Sequence, residues 1–468
     1  MCVVVNKEIK LNRAERRRQK KETTRKNTKH IPKEEYLNRA DRRALVKNKN
    51  LLVEIVKIIN KYLPQLSNII DNLTDKRNKS YIKYNMRTII FTRLFALICG
   101  ITTMNGMTRT FNTENTIKNL SVICKQNFNE IPNWQTIQDV LEDLDIEEIR
   151  NIRKYIVKTL IRSKMFDKYR YNGYFQVLVD ATGVTCCDYN LNGNCIEKKY
   201  KSEKTKYYKY VLEAKIVVGK IVISLDSEWI ENSIIKSDKQ KQDCEINAFK
   251  RMAPRIKKEY PKLNFIITGD ALYATDPMIK ICNEYKWKYI FNLKKDRLKQ
   301  IFNDFEDDLA YENETTEKNY FLSTKIKYKT HKLNAVRYQE YQKEKLVTFN
   351  YITNLKTNNH NIKNIIKMGR SRWKIENEGF NEQKNGTFCI SHLCSRNETA
   401  LKIHYYLIQI AHIIRQLLEV GSIVLREMKL QKKEVSSHIK NDLTTFNSTS
   451  KLNTIGTKFQ LRFDKLIL

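Results

Sequence analysis

The feature that most limits how this chain can fold is a pair of short apolar runs, each ending in an aspartate. The runs are Phe175-Gln-Val-Leu-Val-Asp180 and Phe265-Ile-Ile-Thr-Gly-Asp270. Short apolar runs rich in β-branched and aromatic residues are typical of buried strands. The pattern therefore predicts an α/β (α+β) fold in which two carboxylates stand at the ends of buried strands, held rigidly at a sheet edge.

A third acid lies in a segment with helical periodicity, Arg370-Ser-Arg-Trp-Lys-Ile-Glu376. At about 100° per residue, Arg372 falls on the same helix face as Glu376, whereas Glu378 points about 160° away. We therefore choose Glu376 over Glu378 as the acid that faces the two aspartates. Carboxylates can share a hard divalent cation with phosphate oxygens, so the three acids are candidate metal ligands and candidate catalytic residues.

The balance of charge favours a polyanionic partner. Lys and Arg number 87 against 52 Asp and Glu, a net charge of +35 over 468 residues. Such an excess attracts nucleic acid, with binding that weakens as salt rises. A membrane surface is the competing partner, but the longest apolar stretch, Thr88 to Ile101, contains Arg93 and predicts a buried helix. No membrane association is expected.

The first residues, Met1-Cys-Val-Val-Val-Asn, are too few for a secretory signal and are followed by charge. We therefore expect a cytoplasmic, nucleoid-associated protein. Its ten cysteines include two local groups, Cys186, Cys187 and Cys195 in one loop and Cys389 and Cys394 with His392 in another. A structural zinc site is an open alternative, but the spacings match no common zinc module, so ordinary free cysteines are favoured.

The hydrophobic period changes along the chain and divides it into parts. A helical pattern, with Asn133 as a candidate N-cap, gives way after Tyr174 to the order β, hairpin, α, β, α, β, which is the order of an RNase H-like core. Alternating stretches then predict a β-rich insertion before helices return. The predicted parts are a basic N-terminal arm (1–50), a helical DNA-binding or dimerisation domain (51–168), the first part of the core (169–298), the insertion (299–361), C-terminal core helices carrying Glu376 (362–420) and a basic C-terminal tail (421–468).

Four segments carry a more specific signal: Val179-Asp-Ala-Thr-Gly183, Tyr208-Lys-Tyr-Val-Leu-Glu-Ala-Lys215, Gly269-Asp-Ala-Leu-Tyr-Ala274 and Arg372-Trp-Lys-Ile-Glu-Asn-Glu-Gly-Phe-Asn-Glu-Gln-Lys384. Over about residues 85–418 the chain resembles bacterial insertion-sequence transposases with a D-D-E triad. In the group concerned, a β-strand insertion interrupts the RNase H-like core and the third acid lies in a Tyr-Arg-Glu-Lys signature.

The signature is matched in part. Arg372 and Glu376 have its spacing, Gly369 stands in the place of the Tyr, and Lys384 comes one position late, with Gln383 in register. The resemblance therefore supports the roles of Arg372 and Glu376 more strongly than it supports a role for Lys384.

The resemblance implies a transposase that cleaves DNA at transposon ends and transfers the strand into target DNA. It implies two Mg²⁺ or Mn²⁺ ions held by Asp180, Asp270 and Glu376, and double-stranded DNA partners, namely terminal inverted repeats and target DNA, with a homodimer in the synaptic complex. Basic and aromatic side chains would position the strand. The candidates for DNA binding are Arg372, Lys384, Trp373, Lys374, Arg370, Lys209 and Lys215.

Two other function classes remain open at this point. One is a catalytically silent or host-adopted DNA-binding protein that keeps the fold, although the presence of all three acids argues against loss of activity. The other is an RNase H-like nuclease without strand transfer, which only the reaction products would separate from a transposase.

Overall fold

The structure is a computed structural model that describes residues 49–202, 204–232, 241–312, 319–454, 457 and 459–463. The basic arm predicted at residues 1–50 lies almost wholly outside the described residues. The chain from Asn50 to Leu468 forms one compact unit. No helix of the described residues combines the length and the apolar character that crossing a membrane requires.

Helices dominate the part before the first strand. Asn85 caps the helix that begins at Met86, because its side chain accepts a hydrogen bond from Thr88 N. Asn133 accepts a hydrogen bond from Gln135 N at 3.1 Å, which confirms its prediction as an N-cap. The helices are α1 (Leu51–Tyr62), α2 (Leu66–Asp71), α3 (Met86–Ile98), α4 (Met104–Phe111), α5 (Glu114–Cys124), α6 (Trp134–Asp143) and α7 (Ile146–Arg162).

The core alternates strands and helices in the predicted order. Its elements are β1 (Phe175–Cys187), β2 (Ile196–Lys199), β3 (Thr205–Val218), β4 (Ile221–Ile230), α8 (Glu245–Glu259), β5 (Phe265–Gly269), α9 (Asp276–Glu284) and β6 (Lys288–Asn292). Strands β1, β5 and β6 are parallel neighbours, while β3 pairs antiparallel with β1 and with β4. This strand order and these directions are those of the predicted RNase H-like core.

The predicted insertion is β-rich, and it extends the core sheet rather than forming a sheet of its own. It consists of α10 (Lys299–Glu312), β7 (Tyr320–Tyr328), β8 (His331–Gln342) and β9 (Lys345–Thr353). Antiparallel pairing of β9 with β6 joins the two parts. Among the described residues, nine strands form one sheet in the order β2-β3-β1-β5-β6-β9-β8-β7, with β4 also on β3.

The C-terminal part carries the third candidate acid and the longest of the described helices. It contains α11 (Ile362–Arg370), a π-helix (Ile375–Asn381), α12 (Glu382–Asn385), α13 (Glu398–Gly421), α14 (Ile423–Met428), α15 (Lys432–Thr444) and α16 (Thr449–Leu452). Helix α13 packs against α1, α3, α6 and α7 as well as against β4. The segment predicted as a tail therefore folds into helices, of which α15 packs on α1 and α5.

Candidate active site

The register of β1 places the first candidate acid. Strand β1 pairs with β5 only from Phe175 to Leu178, whereas its pairing with β3 runs on to Cys187. Asp180 therefore stands inside a long strand and not at its end, which corrects the prediction from sequence. It lies just beyond the last parallel pair, beside the point where β5 ends. Asp270 follows β5 directly, so both aspartates reach the same edge of the parallel region.

A tight turn fixes Asp270. Its Oδ1 accepts a hydrogen bond from Leu272 N at 2.8 Å, and its carbonyl accepts one from Tyr273 N at 3.2 Å. The ring of Tyr273 folds back over Gly269, where a Cβ atom would come within 2.7 Å of the ring. Glycine is therefore required for this turn, because any larger residue would displace the buried tyrosine and move the aspartate.

The third candidate acid lies in the π-helix, a rare conformation that occurs frequently at functional sites. Ile375 and Phe380 of this helix pack against Leu178 and Val222, which anchors the helix on β1 and β4. Glu376 is exposed on it. The wider turn changes the angles assumed from sequence, but the apolar anchors keep Glu376 on the side of β1.

Electrostatics connect the three acids. The pKa of Asp180 is raised to about 6: burial is the largest cause, the charges of Asp270 and Glu376 also raise it, and Arg372 lowers it. Arg372 Nη1 donates to Asp180 Oδ2 at 2.9 Å. Asp270 and Glu376 therefore lie near enough to Asp180 for their charges to raise its pKa.

The alternative glutamate points elsewhere. Glu378 forms an ion pair with Lys432, 3.1 Å between Oε2 and Nζ. It also lines a cavity of about 520 Å³ together with Trp373 and Lys374. This contact directs Glu378 away from the aspartates, so the geometry favours the choice of Glu376 that was made from the sequence.

The donor set suits a hard divalent cation. All the acids offer carboxylate oxygens, and a bound cation would offset the cost of burying the Asp180 carboxylate beside like charges. Within the described part of the chain, however, no three His, Cys, Asp or Glu side chains already converge as ligands around one point. Arg372 occupies one oxygen of Asp180, so its side chain has to move before this carboxylate can bind a metal through both oxygens.

Sequence reasoning missed a fourth acid near the site. Glu245, at the start of α8, accepts a hydrogen bond from the hydroxyl of Tyr273 at 2.7 Å. Its pKa is raised by burial first, and then by the charges of Asp180 and Asp270. No local signal distinguishes Glu245 from an ordinary acid in the first turn of a helix. Tyr273, in the Gly269-Asp-Ala-Leu-Tyr273 turn, was the only sequence feature that indicated a partner residue opposite the turn.

Five of the predicted DNA-binding residues keep some access to solvent. Trp373 is 47% exposed, and Lys384 is partly exposed. Arg370 pairs with Glu340 at 2.8 Å, and Lys374 donates to the carbonyl of Gly219 at 2.6 Å. Arg372 is held by Asp180, so each of the two arginines has a carboxylate partner that a DNA phosphate would have to replace.

The other two predicted DNA-binding residues are buried, which corrects their assignment. Lys209 is 1% exposed and lies 3.5 Å from Glu231 and 3.7 Å from Glu398. Lys215 is fully buried, 3.1 Å from Gln409. The Lys209 ammonium group pairs with Glu231 and Glu398, and the Lys215 ammonium group lies beside Glu213 and donates to Gln409, so neither can reach DNA in this fold.

Among the described residues, the cysteines and His392 do not come together as a group that could hold a metal ion. Cys195 Sγ donates to the carbonyl of Leu191 at 3.2 Å, and Cys394 lies 3.5 Å from the guanidinium of Arg93. The described cysteines are free thiols, and the zinc alternative gains no support from their positions.

The chain is similar to known protein families and to a solved structure. A family model described as Transposase DDE domain matches residues 173–414, and one described as DDE_Tnp_1-associated matches residues 67–155. Among proteins of curated function, no sequence match was found. A solved structure that is similar in part is the cryo-EM structure of the piggyBac transposase synaptic complex with hairpin DNA. The match has 11% identity and a TM-score of 0.43, and covers 89% of this chain and 84% of that one.

Proposed function

Since the chain belongs to the Transposase DDE domain family, we propose that it cleaves DNA at transposon ends and transfers the freed strand into target DNA. The observation that carries the proposal is the placement of Asp180 and Asp270 at one edge of the parallel strands β1 and β5, with Glu376 near enough for its charge to raise the pKa of Asp180. Such a cluster is costly for a folded protein unless a cation compensates it. A site that only bound DNA would not need it.

Each acid has a defined part in the proposed chemistry. Asp180 and Asp270, on adjoining strands, would hold Mg²⁺ or Mn²⁺ from the sheet, and Glu376 would hold it from the π-helix. Two bound ions would supply an activated water or 3′-hydroxyl and would stabilise the leaving oxygen of an in-line displacement. Arg372, once separated from Asp180, would bind a phosphate oxygen next to the cut bond.

The proposed partners follow from this chemistry. The two ends of an element have to be cut and joined together, so we propose double-stranded DNA at the terminal repeats and at the target, and a homodimer that holds the two ends. The net charge of +35 supports the attraction to DNA. As part of the same function, we propose that the protein acts on chromosomal DNA in the cytoplasm.

The products of the reaction test the function. The protein is incubated with Mg²⁺, a plasmid target and a labelled duplex made from the DNA that flanks its coding sequence. Strand breaks at the repeat ends and covalent joining of the label to the plasmid are expected. Breaks without joining would instead support the nuclease alternative, and binding without breaks would support the silent DNA-binding protein.

A further inference from the structure

A cluster of three tyrosines and one lysine lies on and next to the antiparallel pair β2–β3, and we call it the tyrosine–lysine strip (Lys198, Tyr200, Tyr208 and Tyr210). The rings of Tyr208 and Tyr210 stack with centroids 5.5 Å apart. Lys198 Nζ lies 5.2 and 4.8 Å from these two rings and donates to the Tyr210 hydroxyl at 2.6 Å. The Tyr200 and Tyr208 hydroxyls are hydrogen-bonded to each other.

The strip begins next to the acids. Tyr210 is the β3 partner of Gly183, three residues beyond Asp180, and its ring covers that glycine, where a Cβ atom would lie 3.5 Å from the ring. Tyr208 is the partner of Cys186. At about 3.3 Å per residue, the strand from Asp180 to Cys186 spans roughly 20 Å, which is about six base pairs of duplex DNA.

The chemistry of the strip fits phosphate groups. Lys198 and the neighbouring Lys199, Lys201 and Lys204 are exposed. Ammonium groups and tyrosine hydroxyls are both common donors to the DNA backbone. Lysines on an edge strand such as β2 also discourage aggregation, but that role requires neither stacked tyrosines nor a lysine held above them.

The arrangement favours a duplex backbone over an unpaired base. The rings of Tyr208 and Tyr210 already stack on each other, with Lys198 Nζ close to both, so part of the ring surface that a base would need is covered. The polar atoms that remain accessible on the strip are hydroxyl and ammonium groups, which bind phosphates in any sequence.

We propose that the tyrosine–lysine strip binds the sugar-phosphate backbone of the DNA duplex that adjoins the cut phosphate, and that it holds this duplex in line with the acids. The position of the cut phosphate rests on the function proposed above. The strip would therefore add backbone contacts over about six base pairs without reading their sequence.

Lysine footprinting tests the strip directly. The full chain is acetylated in the absence of metal ions, with and without a mixed-sequence duplex of about 30 base pairs, roughly 100 Å long. Mass spectrometry then compares Lys198 with Lys327, an exposed lysine on β7 at the opposite end of the sheet. DNA is expected to protect Lys198 several-fold and to leave Lys327 unchanged. Equal reactivity of Lys198 with and without DNA would overturn the proposal.

The salt dependence of binding gives a second readout. A variant with Lys198→Ala and Tyr208→Phe should lower the slope of log affinity against log salt by about 1, because each lost lysine–phosphate contact removes about 0.9 and the uncharged tyrosine hydroxyl does not enter the slope. Lys327→Ala is the matched control. Circular dichroism checks that both variants fold. A double variant with the slope of the unaltered protein would contradict the proposal.

The two proposals can fail separately. Footprinting and binding need no metal and no cleavage, so an inactive protein could still protect Lys198, which would contradict only the proposed function. A cleaving protein that leaves Lys198 reactive would contradict only the role of the strip.

Discussion

Arg372 and Asp180 form an ion pair, 2.9 Å between Nη1 and Oδ2, at the centre of the candidate active site. The pair joins the residue proposed to bind phosphate to a residue proposed to bind metal. Burial and the neighbouring acids nevertheless keep the pKa of Asp180 at about 6. In the metal-free protein, Arg372 therefore offsets only part of the negative charge of the site, and a divalent cation would compete with it.

Replacing Arg372 should affect metal and DNA in opposite directions. In Arg372→Gln, Mn²⁺ binding at pH 8 is expected to tighten about fivefold, because a competing positive charge worth about 1 kcal/mol is gone. DNA affinity should fall, since a bidentate phosphate donor is lost. Calorimetry with Mn²⁺ and fluorescence anisotropy with DNA measure the two effects. Arg372→Lys is the control, and a fall in both affinities for Arg372→Gln would contradict the competition.

Each of the three acids should be required for cleavage but not for DNA binding. Asp180→Asn, Asp270→Asn and Glu376→Gln are each expected to reduce Mg²⁺-dependent cleavage by about a thousandfold or more, because a lost ligand removes stabilisation of the reacting oxygens. Glu378→Gln, which changes the neighbouring acid paired with Lys432, is the matched control and should cleave normally. Full activity in any one of the three acid variants would remove that residue from the site.

Neutralising Asp180 should stabilise the metal-free protein at neutral pH. Its folded pKa of about 6 lies above its ordinary value of 3.8. The folded state therefore holds the proton more tightly, and stability falls as pH rises through this window. Asp180→Asn avoids this loss, and a gain of up to about 2 kcal/mol in the free energy of unfolding is expected at pH 7.5. Urea denaturation in EDTA measures it, and the gain should vanish at pH 4.

Asp276 provides a control of opposite sign. Hydrogen bonds from Lys280 and His331 help to lower its pKa to about 2. Its stabilising contribution is present above the ordinary value of 3.8 and is lost as pH falls towards 2. Asp276→Asn should therefore lower the melting temperature at pH 7.5. A gain in stability for both variants at pH 7.5 would show that the pKa of Asp180 is not specifically raised.

Lys215 should contribute to stability and not to DNA binding. Its ammonium group lies 3.6 Å from Glu213 and 3.1 Å from Gln409, all of them buried. Lys215→Met is expected to cost about 3 kcal/mol or more, because it leaves the Glu213 carboxylate without its nearest cation. Adding Glu213→Gln should recover part of the loss.

The partly exposed Lys384 is the contrast for Lys215. Lys384→Met should weaken DNA binding and change stability little. Urea denaturation and anisotropy on both variants check the pair. A stable Lys215→Met protein with weakened DNA binding would restore the surface role that the sequence suggested.

The strands could be predicted because local patterns encode them. The apolar runs before Asp180 and Asp270 specify buried strands whichever elements surround them, and the N-cap at Asn133 depends only on neighbouring backbone. The choice of Glu376 as the third acid rests on local helix geometry and stays a prediction, and the π-helix that holds Glu376 could not be foreseen from a pattern based on 3.6 residues per turn.

The buried lysines could not be predicted, because long-range contacts decide them. Lys215 and Gln409 are 194 positions apart, and only the packing of α13 on the sheet brings them together. The sequence alone favours exposure for any lysine. Likewise, the pairing of β9 with β6 depends on a sheet edge whose availability no local pattern records.

The most direct test of the central claim is a crystal structure of the protein with Mn²⁺, with anomalous scattering measured at the manganese absorption edge. If these acids form the proposed metal site, anomalous peaks ligated by Asp180, Asp270 and Glu376 are expected, with the guanidinium of Arg372 moved off Asp180. Peaks at other residues, or an intact pair between Arg372 and Asp180 at saturating Mn²⁺, would contradict the account.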